Sequence, residues 1–476
     1  MNAILVVVLL VLFLGAAIAL PIYGPTAVAL CLVLATGVGI AIGRFNRAND
    51  FLLRLYAAGL AVRVLVAILI NYYNLQTFFG GDADTYDHFG WSLGKSWHEA
   101  GAIYAVYVDQ FTSSGGSGWG MLYLVAAIYE IVGRNMFAVQ LFNAVIGAAT
   151  AVIIYRIADQ IFDNTRVSWI AALFVAFYPS LVLWSAQALK DGPIVLLLGL
   201  SMLATLKLSE KFSAKYVVLL LGSSLGLLTL RFYIFYMVIA AVAGSFIMGM
   251  RAFSARSFAR QFMVVILIGL SLTYLGITRY AGKQYESFGN LKMVQRSRAD
   301  ASQSAESGFA QDVDVSTTQG AIAAIPIGMF YLIFAPLPWQ LTSIRQLITL
   351  PEMIVWWASF PLLVLGLWFT IKHKLRQISP ILLFTTLLTL GYSVFQGNVG
   401  TAYRQRAQLL VFYFIFVAVG LVLFKERRED HKQEIAAKKL AAKQAGRAFV
   451  PFKTPRDFAV KSAFQTTTPV VPGDKG

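Results

Sequence analysis

The amino-acid sequence predicts an all-α, polytopic membrane protein with about twelve spans and additional helices lying at one membrane surface. Three observations carry that expectation. The 476 residues are 58% hydrophobic and only 13% charged, far more apolar than a soluble domain. Apolar runs of about 17 to 25 residues recur along the chain, each long enough to cross the hydrocarbon as a helix that satisfies its own backbone. Lysine and arginine fall between alternate runs, the charge pattern of cytoplasmic loops.

Taken in order, the apolar runs place spans near 3–20, 25–43, 51–72, 136–157, 167–184 and 190–207, then near 215–230, 231–250, 261–281, 352–371, 379–396 and 403–424. The first run resembles a secretory signal in its small residues Ala17 and Ala19. No lysine or arginine precedes it, so it reads as an uncleaved first span. With the N-terminus inside, the cytoplasmic turns carry Arg44 and Arg47, then Arg156 and Arg166, then Lys207, Lys211 and Lys215. Arg251, Arg256 and Arg260 follow, then Lys372, Lys374 and Arg376, and finally the basic tail from Lys425 onward. Two weaker apolar stretches, 119–133 and 320–335, would break this alternation if they spanned. They read as interfacial or re-entrant helices on the outer face, the first ending at Gly133-Arg134-Asn135 and the second at Pro336-Leu337-Pro338.

The chain divides into an N-terminal two-span hairpin (1–50), a main membrane domain (51–424) and a basic cytoplasmic tail (425–476) that starts helical and ends polar and disordered. The net charge of +16 is accounted for by the cytoplasmic loops and tail, so nucleic acid is excluded as a partner. The single cysteine, Cys31, lies inside an apolar run and forms no intramolecular disulfide. Neither a P-loop nor a Gly-x-Gly-x-x-Gly turn is present.

Ionisable residues gather on the outer face. The first large outer loop carries Asp82, Asp84, Tyr86, Asp87 and His88 directly after a span. Carboxylates so placed suit a general base or oxygen ligation of a divalent cation, and equally a solvated acidic loop. His88 has no second histidine at ligand spacing and reads as an interfacial hydrogen-bonding residue. Lys190 and Asp191 lie on the next outer turn, where Asp191 serves either as a site carboxylate or as a helix start. Arg231, Arg345, Arg404 and Arg406 stand on the same face against the positive-inside trend, where guanidinium groups suit a phosphate or a lipid headgroup. Carboxylates and arginines converging beside a long apolar body describe a glycosyl- or phosphoryl-transfer site for an anionic, lipid-linked substrate.

Three segments resemble the GT-C superfamily of membrane glycosyltransferases, in particular the protein mannosyltransferase and aminoarabinose transferase branch. Asp82-Ala83-Asp84-Thr85-Tyr86 is similar to the family's Asp-Glu-x-x-Tyr, with Ala83 in place of the glutamate. Trp119 through Gly133 resembles the family's juxtamembrane helix, followed by Phe142-Asn143-Ala144; Tyr178-Pro179-Ser180 through Lys190-Asp191 resembles the segment bearing its second outer acid. The likeness covers about 50–210, with Gly400-Thr401-Ala402-Tyr403-Arg404 as a further outer-loop arginine segment.

The resemblance implies a GT-C-like fold and transfer of a sugar from a polyprenyl-phosphate-linked donor to a glycan, lipid or protein acceptor, with inversion, outside the cytoplasm at a bacterial inner membrane. It implies Asp82 as the base, with Asp84 as its nearest substitute. The leaving phosphate falls to Arg404, Arg406 or Arg231. Family members differ on metals, so a divalent cation is left open, with Asp82, Asp84 and Asp191 as candidate ligands. The loop 282–319 reads as a gate over the acceptor. The competing readings are a flippase or carrier for lipid-linked sugars, and a polysaccharide polymerase or O-antigen ligase.

Overall fold

Long apolar runs bounded by capping residues fold into helices whose ends are set locally. The computed structural model describes residues 3–44, 49–99, 118–248, 270, 290–303, 307–310, 312–341 and 343–445. Its helices are α1 (Ala3–Ala19), α2 (Gly24–Gly43), α3 (Asn49–Tyr72), α4 (Gln76–Phe79), α5 (Asp82–His98), α6 (Trp119–Val132), α7 (Met136–Phe162) and α8 (Thr165–Phe177). They continue as α9 (Pro179–Ser185), α10 (Asp191–Glu210), α11 (Ala214–Leu230), α12 (Phe232–Met248), α13 (Leu291–Gln303), α14 (Thr318–Phe334), α15 (Ile344–Phe395) and α16 (Val399–Ala445). Among the described residues the only β pairing is an isolated bridge between Gly308 and Asn398.

Side-chain caps start several of these helices. Asn135 accepts from the Ala138 N–H at the start of α7, Asn164 from Arg166 and Val167 at the start of α8, and Thr317 from Gly320 at the start of α14. Each satisfies a backbone donor that has no partner within the helix.

Six helices are long and apolar enough to cross a membrane, and α8 with α9 makes a seventh candidate bent by 53° at Tyr178-Pro179. The expected span 167–184 is therefore broken, because Pro179 has no N–H to continue the ladder. The span expected near 261–281, except for Leu270, together with Arg47, Arg251, Arg256 and Arg260, lies outside the described residues.

The 52-residue α15 contains the two spans expected at 352–371 and 379–396, joined at Lys374, whose backbone leaves the helical region (φ −133°, ψ 17°). Both legs pack on α16. Tyr403 bonds Glu352 and Gly420 meets Leu362, while Tyr392 bonds Gln408 and Thr389 bonds Tyr413. The first leg thus runs parallel to α16 and the second antiparallel, which requires the chain to fold back at Lys374. The basic triplet Lys372, Lys374 and Arg376 sits on that bend.

Loops that the charge pattern assigned to one side do gather at one end of the body. Asn135 reaches the backbone of Tyr23, Arg345 lies over Phe78, and Arg404 reaches Asp82 and Asp191. At the other end Gln160 bonds Glu210, and Arg166 faces Glu426. The helices α5 and α6 lie side by side at the first end, packed closely where a side chain on Gly90 would meet Val125. There α14 meets α15 and α16 at Ser393, Trp356 and Arg406. Within the expected gate, α13 is packed rather than loose: Val294 joins Val315, Ala321 and Ala324 in a small core, and Gln295 accepts from the Val315 N–H.

Candidate active site

Five helix ends converge to build the site. The start of α5 supplies Asp82 and Tyr86, the turn into α10 supplies Lys190 and Asp191, and the α11–α12 junction supplies Arg231. The end of α15 brings Tyr392 and the start of α16 brings Arg404. Sequence separations of up to 322 residues are closed here, as between Asp82 and Arg404.

Arg404 is the hub. Its Nη1 donates to Asp82 Oδ2 at 2.6 Å, and its Nε donates to Asp191 Oδ2 at 2.7 Å, with Nη2 2.6 Å from the same oxygen. Arg231 Nη2 donates to the other oxygen, Asp191 Oδ1, at 3.2 Å. Asp191 is buried and held by two guanidinium groups, the pairing that a carboxylate removed from water requires. Asp82 differs: its side chain is 54% exposed while Arg404 is 15% exposed. Asp82 therefore presents a carboxylate to solvent at the rim of a buried charge cluster.

Arg231 also donates from Nη1 to Tyr233 Oη (3.1 Å) and Tyr392 Oη (3.3 Å), and the Tyr392 hydroxyl donates in turn to Gln408 Oε1 at 2.6 Å. These phenols and the amide form a polar inner wall. Lys190 stands beside the cluster with its ammonium 5.9 Å from the Tyr86 ring centre. Burial, aided by neighbouring Arg231, pulls the Lys190 pKa down to about 7, against the opposing pull of Asp191. Gly118, at φ +113°, closes over this corner: a side chain there would meet Lys190 Nζ at 2.8 Å and Tyr86 Oη at 3.3 Å.

The remaining expected site residues lie apart from the hub. Asp84 is exposed on α5, and partial desolvation together with neighbouring Asp87 raises its pKa. Asp87 is clamped by Arg134 (Nη2 2.5 Å, Nε 3.1 Å) and by the Tyr129 hydroxyl, tying α5 to α6 and the start of α7. His88 is exposed, with its ring edge-on to Phe89. Arg345 stacks over Phe78 at 5.1 Å.

Arg406 points away from Arg404 but is not turned to headgroups. It is 1% exposed and donates from Nη1 to the carbonyls of Ile333 (2.8 Å) and Ala335 (2.9 Å) at the end of α14. Two residues on a helix are about 200° apart, so one arginine enters the cluster and the other packs on the opposite side.

Oxygen donors for a divalent cation do not converge. Among the described residues no three His, Cys, Asp or Glu side chains form a group, and the Arg404 guanidinium fills the space between Asp82 and Asp191. The donor set does not fit a divalent ion, and the positive groups that occupy it suit an anion.

Several contributors carried no local signal in the sequence. Tyr233 and Tyr392 are ordinary aromatic residues of apolar spans until Arg231 reaches them. Trp184, whose ring lies 5.6 Å from the Arg404 guanidinium, reads as a core residue.

No curated protein matches the chain. The family model of dolichyl-phosphate-mannose-protein mannosyltransferase matches residues 118–274, about a third of the chain, including Lys190, Asp191 and Arg231. With several long apolar helices, that match supports a multi-pass membrane glycosyltransferase of the GT-C superfamily.

Proposed function

We propose that the protein moves a sugar from a polyprenyl-phosphate-linked donor to a hydroxyl-bearing glycan, lipid or protein acceptor on the extracytoplasmic face of a bacterial inner membrane. The observation that carries this reading is the Arg404 bridge between exposed Asp82 and buried Asp191, with Arg231 and Lys190 at its side. The acceptor oxygen attacks the anomeric carbon and gives its proton to Asp82. The bond from that carbon to the phosphate oxygen breaks with inversion, and the electron pair leaves on the polyprenyl phosphate. Arg404, Arg231 and protonated Lys190 offset the charge that develops there, a role that pre-oriented cations fill well in a water-poor site.

A lipid tail has room nearby. A groove of about 510 Å³ runs between α8, the start of α9 and the first leg of α15, lined by Phe174, Phe177, Tyr178, Pro179, Pro351 and Glu352. Among its lining residues Glu352 accepts from Tyr403, the residue before Arg404.

The test is single turnover with purified protein in nanodiscs and a panel of polyprenyl-phosphate sugars, beginning with the mannose that the matched family's name carries. The parent protein should cleave a donor, and Asp82→Asn should lower the rate by about a hundred- to ten-thousandfold with normal yield. Normal turnover in Asp82→Asn removes it as the base and moves the test to Asp84→Asn. Donor crossing the bilayer uncleaved would point to a carrier instead.

A further inference from the structure

Arg63 is as deeply buried as Arg406, at 1% exposure, and it lies in the middle of span α3. A guanidinium at that depth costs several kcal/mol unless the protein solvates it. Its four contacts are all to neutral oxygens. Nη1 donates to Ala176 O (2.7 Å) and Gly59 O (3.0 Å), Nη2 to Val175 O (3.3 Å), and Nε to Ser185 Oγ (2.8 Å).

Two of those oxygens belong to the break between α8 and α9. In an unbroken helix the Val175 carbonyl would accept from residue 179 and the Ala176 carbonyl from residue 180. Residue 179 is proline and the chain turns by 53° there, so both carbonyls lose their ladder partners and Arg63 takes them.

The fourth contact does something else. Ser185 ends α9, and the five residues after it lead to Asp191. Asn143 on α7 holds that same connection, donating to Gln187 O at 2.6 Å and Leu189 O at 2.7 Å. A cavity of about 20 Å³, room for a single water, is lined by Arg63, Ser185, Asp191, Gly192 and Thr150. The close approach depends on Gly147, where a side chain would meet Ser185 Oγ at 2.6 Å and Arg63 Nε at 3.0 Å.

We propose that Arg63 is a positioning residue: through Ser185 and the cavity it shares with Asp191, it fixes where Asp191 stands and therefore where Arg404 is held. Capping the broken helix is the part of its work that any buried donor could do. Tying the end of α9 to α3 sets the geometry of the charge cluster. The geometric claim is independent of what the cluster does; only its effect on turnover rests on the glycosyl-transfer reading.

Hydrogen–deuterium exchange of the protein in nanodiscs separates the two roles. Ser185→Ala removes the tie and keeps the carbonyl cap, so amides 186–191 should exchange about five- to tenfold faster while 174–182 stay at the parental rate. Arg63→Met should accelerate both segments. Donor turnover should fall about tenfold or more in Ser185→Ala, since small misplacements at a reacting centre are costly. If amides 186–191 keep the parental rate in Ser185→Ala, Arg63 only caps the break and the proposal is wrong. That variant decides the matter even if Arg63→Met does not fold. Faster exchange with unchanged turnover would uphold the positioning and overturn the glycosyl-transfer role of the cluster.

Discussion

Arg404 and Arg406 lie two residues apart on α16, and their surroundings give them separate work. Arg404 needs its planar fork to hold Asp82 and Asp191 together, and a lysine cannot span both. Arg404→Lys should therefore lower turnover of a polyprenyl-phosphate donor by about a hundredfold while the folded yield stays normal. Arg406→Lys uncovers carbonyls of Ile333 and Ala335. It should leave donor use intact and lower thermal stability in nanodiscs by about 1–3 kcal/mol, the cost of a buried acceptor without a partner. Equal effects of the two variants on donor use would contradict this division. Lys190 gives a pH signature. Below its pKa of about 7 it is an ammonium that adds to Arg404 and Arg231, and above it a neutral amine. Donor affinity should weaken as pH rises through 7, with the fall displaced upward once donor is bound, because the bound anion favours the charged form. A sugar phosphodiester does not titrate there, so Lys190→Met should flatten the profile; an unchanged slope would remove Lys190 from donor binding. The sequence singled out Asp82, Asp191, Arg231 and Arg404, which the structure brings into one cluster, because charges at the ends of apolar spans stand out. It could not separate Asp87 from them, since its partners Tyr129 and Arg134 are more than forty residues away. Nothing local in the sequence marked the partners of Arg63, because the helix break whose carbonyls it caps lies over a hundred residues downstream.

Pairs of helices are held together where glycine replaces bulk. A side chain on Gly366 would fall 1.9 Å from Phe416 O, and one on Gly420 would fall 2.0 Å from Leu362 O. The first leg of α15 and α16 thus touch backbone to backbone, as small residues allow in membranes. Gly366→Val should push the two apart and lower thermal stability by roughly 1–3 kcal/mol, whereas Gly37→Val, with nothing within 4 Å, should be mild. The comparison is read from melting of both variants in the same nanodiscs, and equal melting would mean that the contact tolerates separation. At this scale apolar length and charge alternation located the two legs of α15. They did not locate the 53° break between α8 and α9, although Pro179 was in plain view, because a proline in a membrane helix bends it or interrupts it according to what receives the freed carbonyls. The packing of α13 was equally hidden, since its four-residue core joins two residues of a polar loop, Val294 and Val315, to the start of the apolar α14.

The whole molecule sorts its loops to two ends, and basic residues mark one of them. Reporter fusions at Ala437 and after Gly133 should report opposite sides of the membrane, with the Ala437 fusion active only in the cytoplasm. Activity of both on one side would overturn the alternation and the common outer site. The Arg404 bridge carries a kinetic consequence for the molecule as a machine. The cluster is its own counter-ion: Asp82 occupies part of the guanidinium that a phosphate would need. Donor arrival is then an ion exchange, in which the phosphate displaces a carboxylate already in place. On the proposed mechanism the displaced carboxylate is the group that takes the acceptor's proton, so the donor would switch on its own base. Substrates should add in compulsory order, lipid-linked sugar first and acceptor second. Product-inhibition patterns read that order directly: polyprenyl phosphate should compete with the donor, and an acceptor that binds equally well to the empty protein would show the bridge to be a bystander.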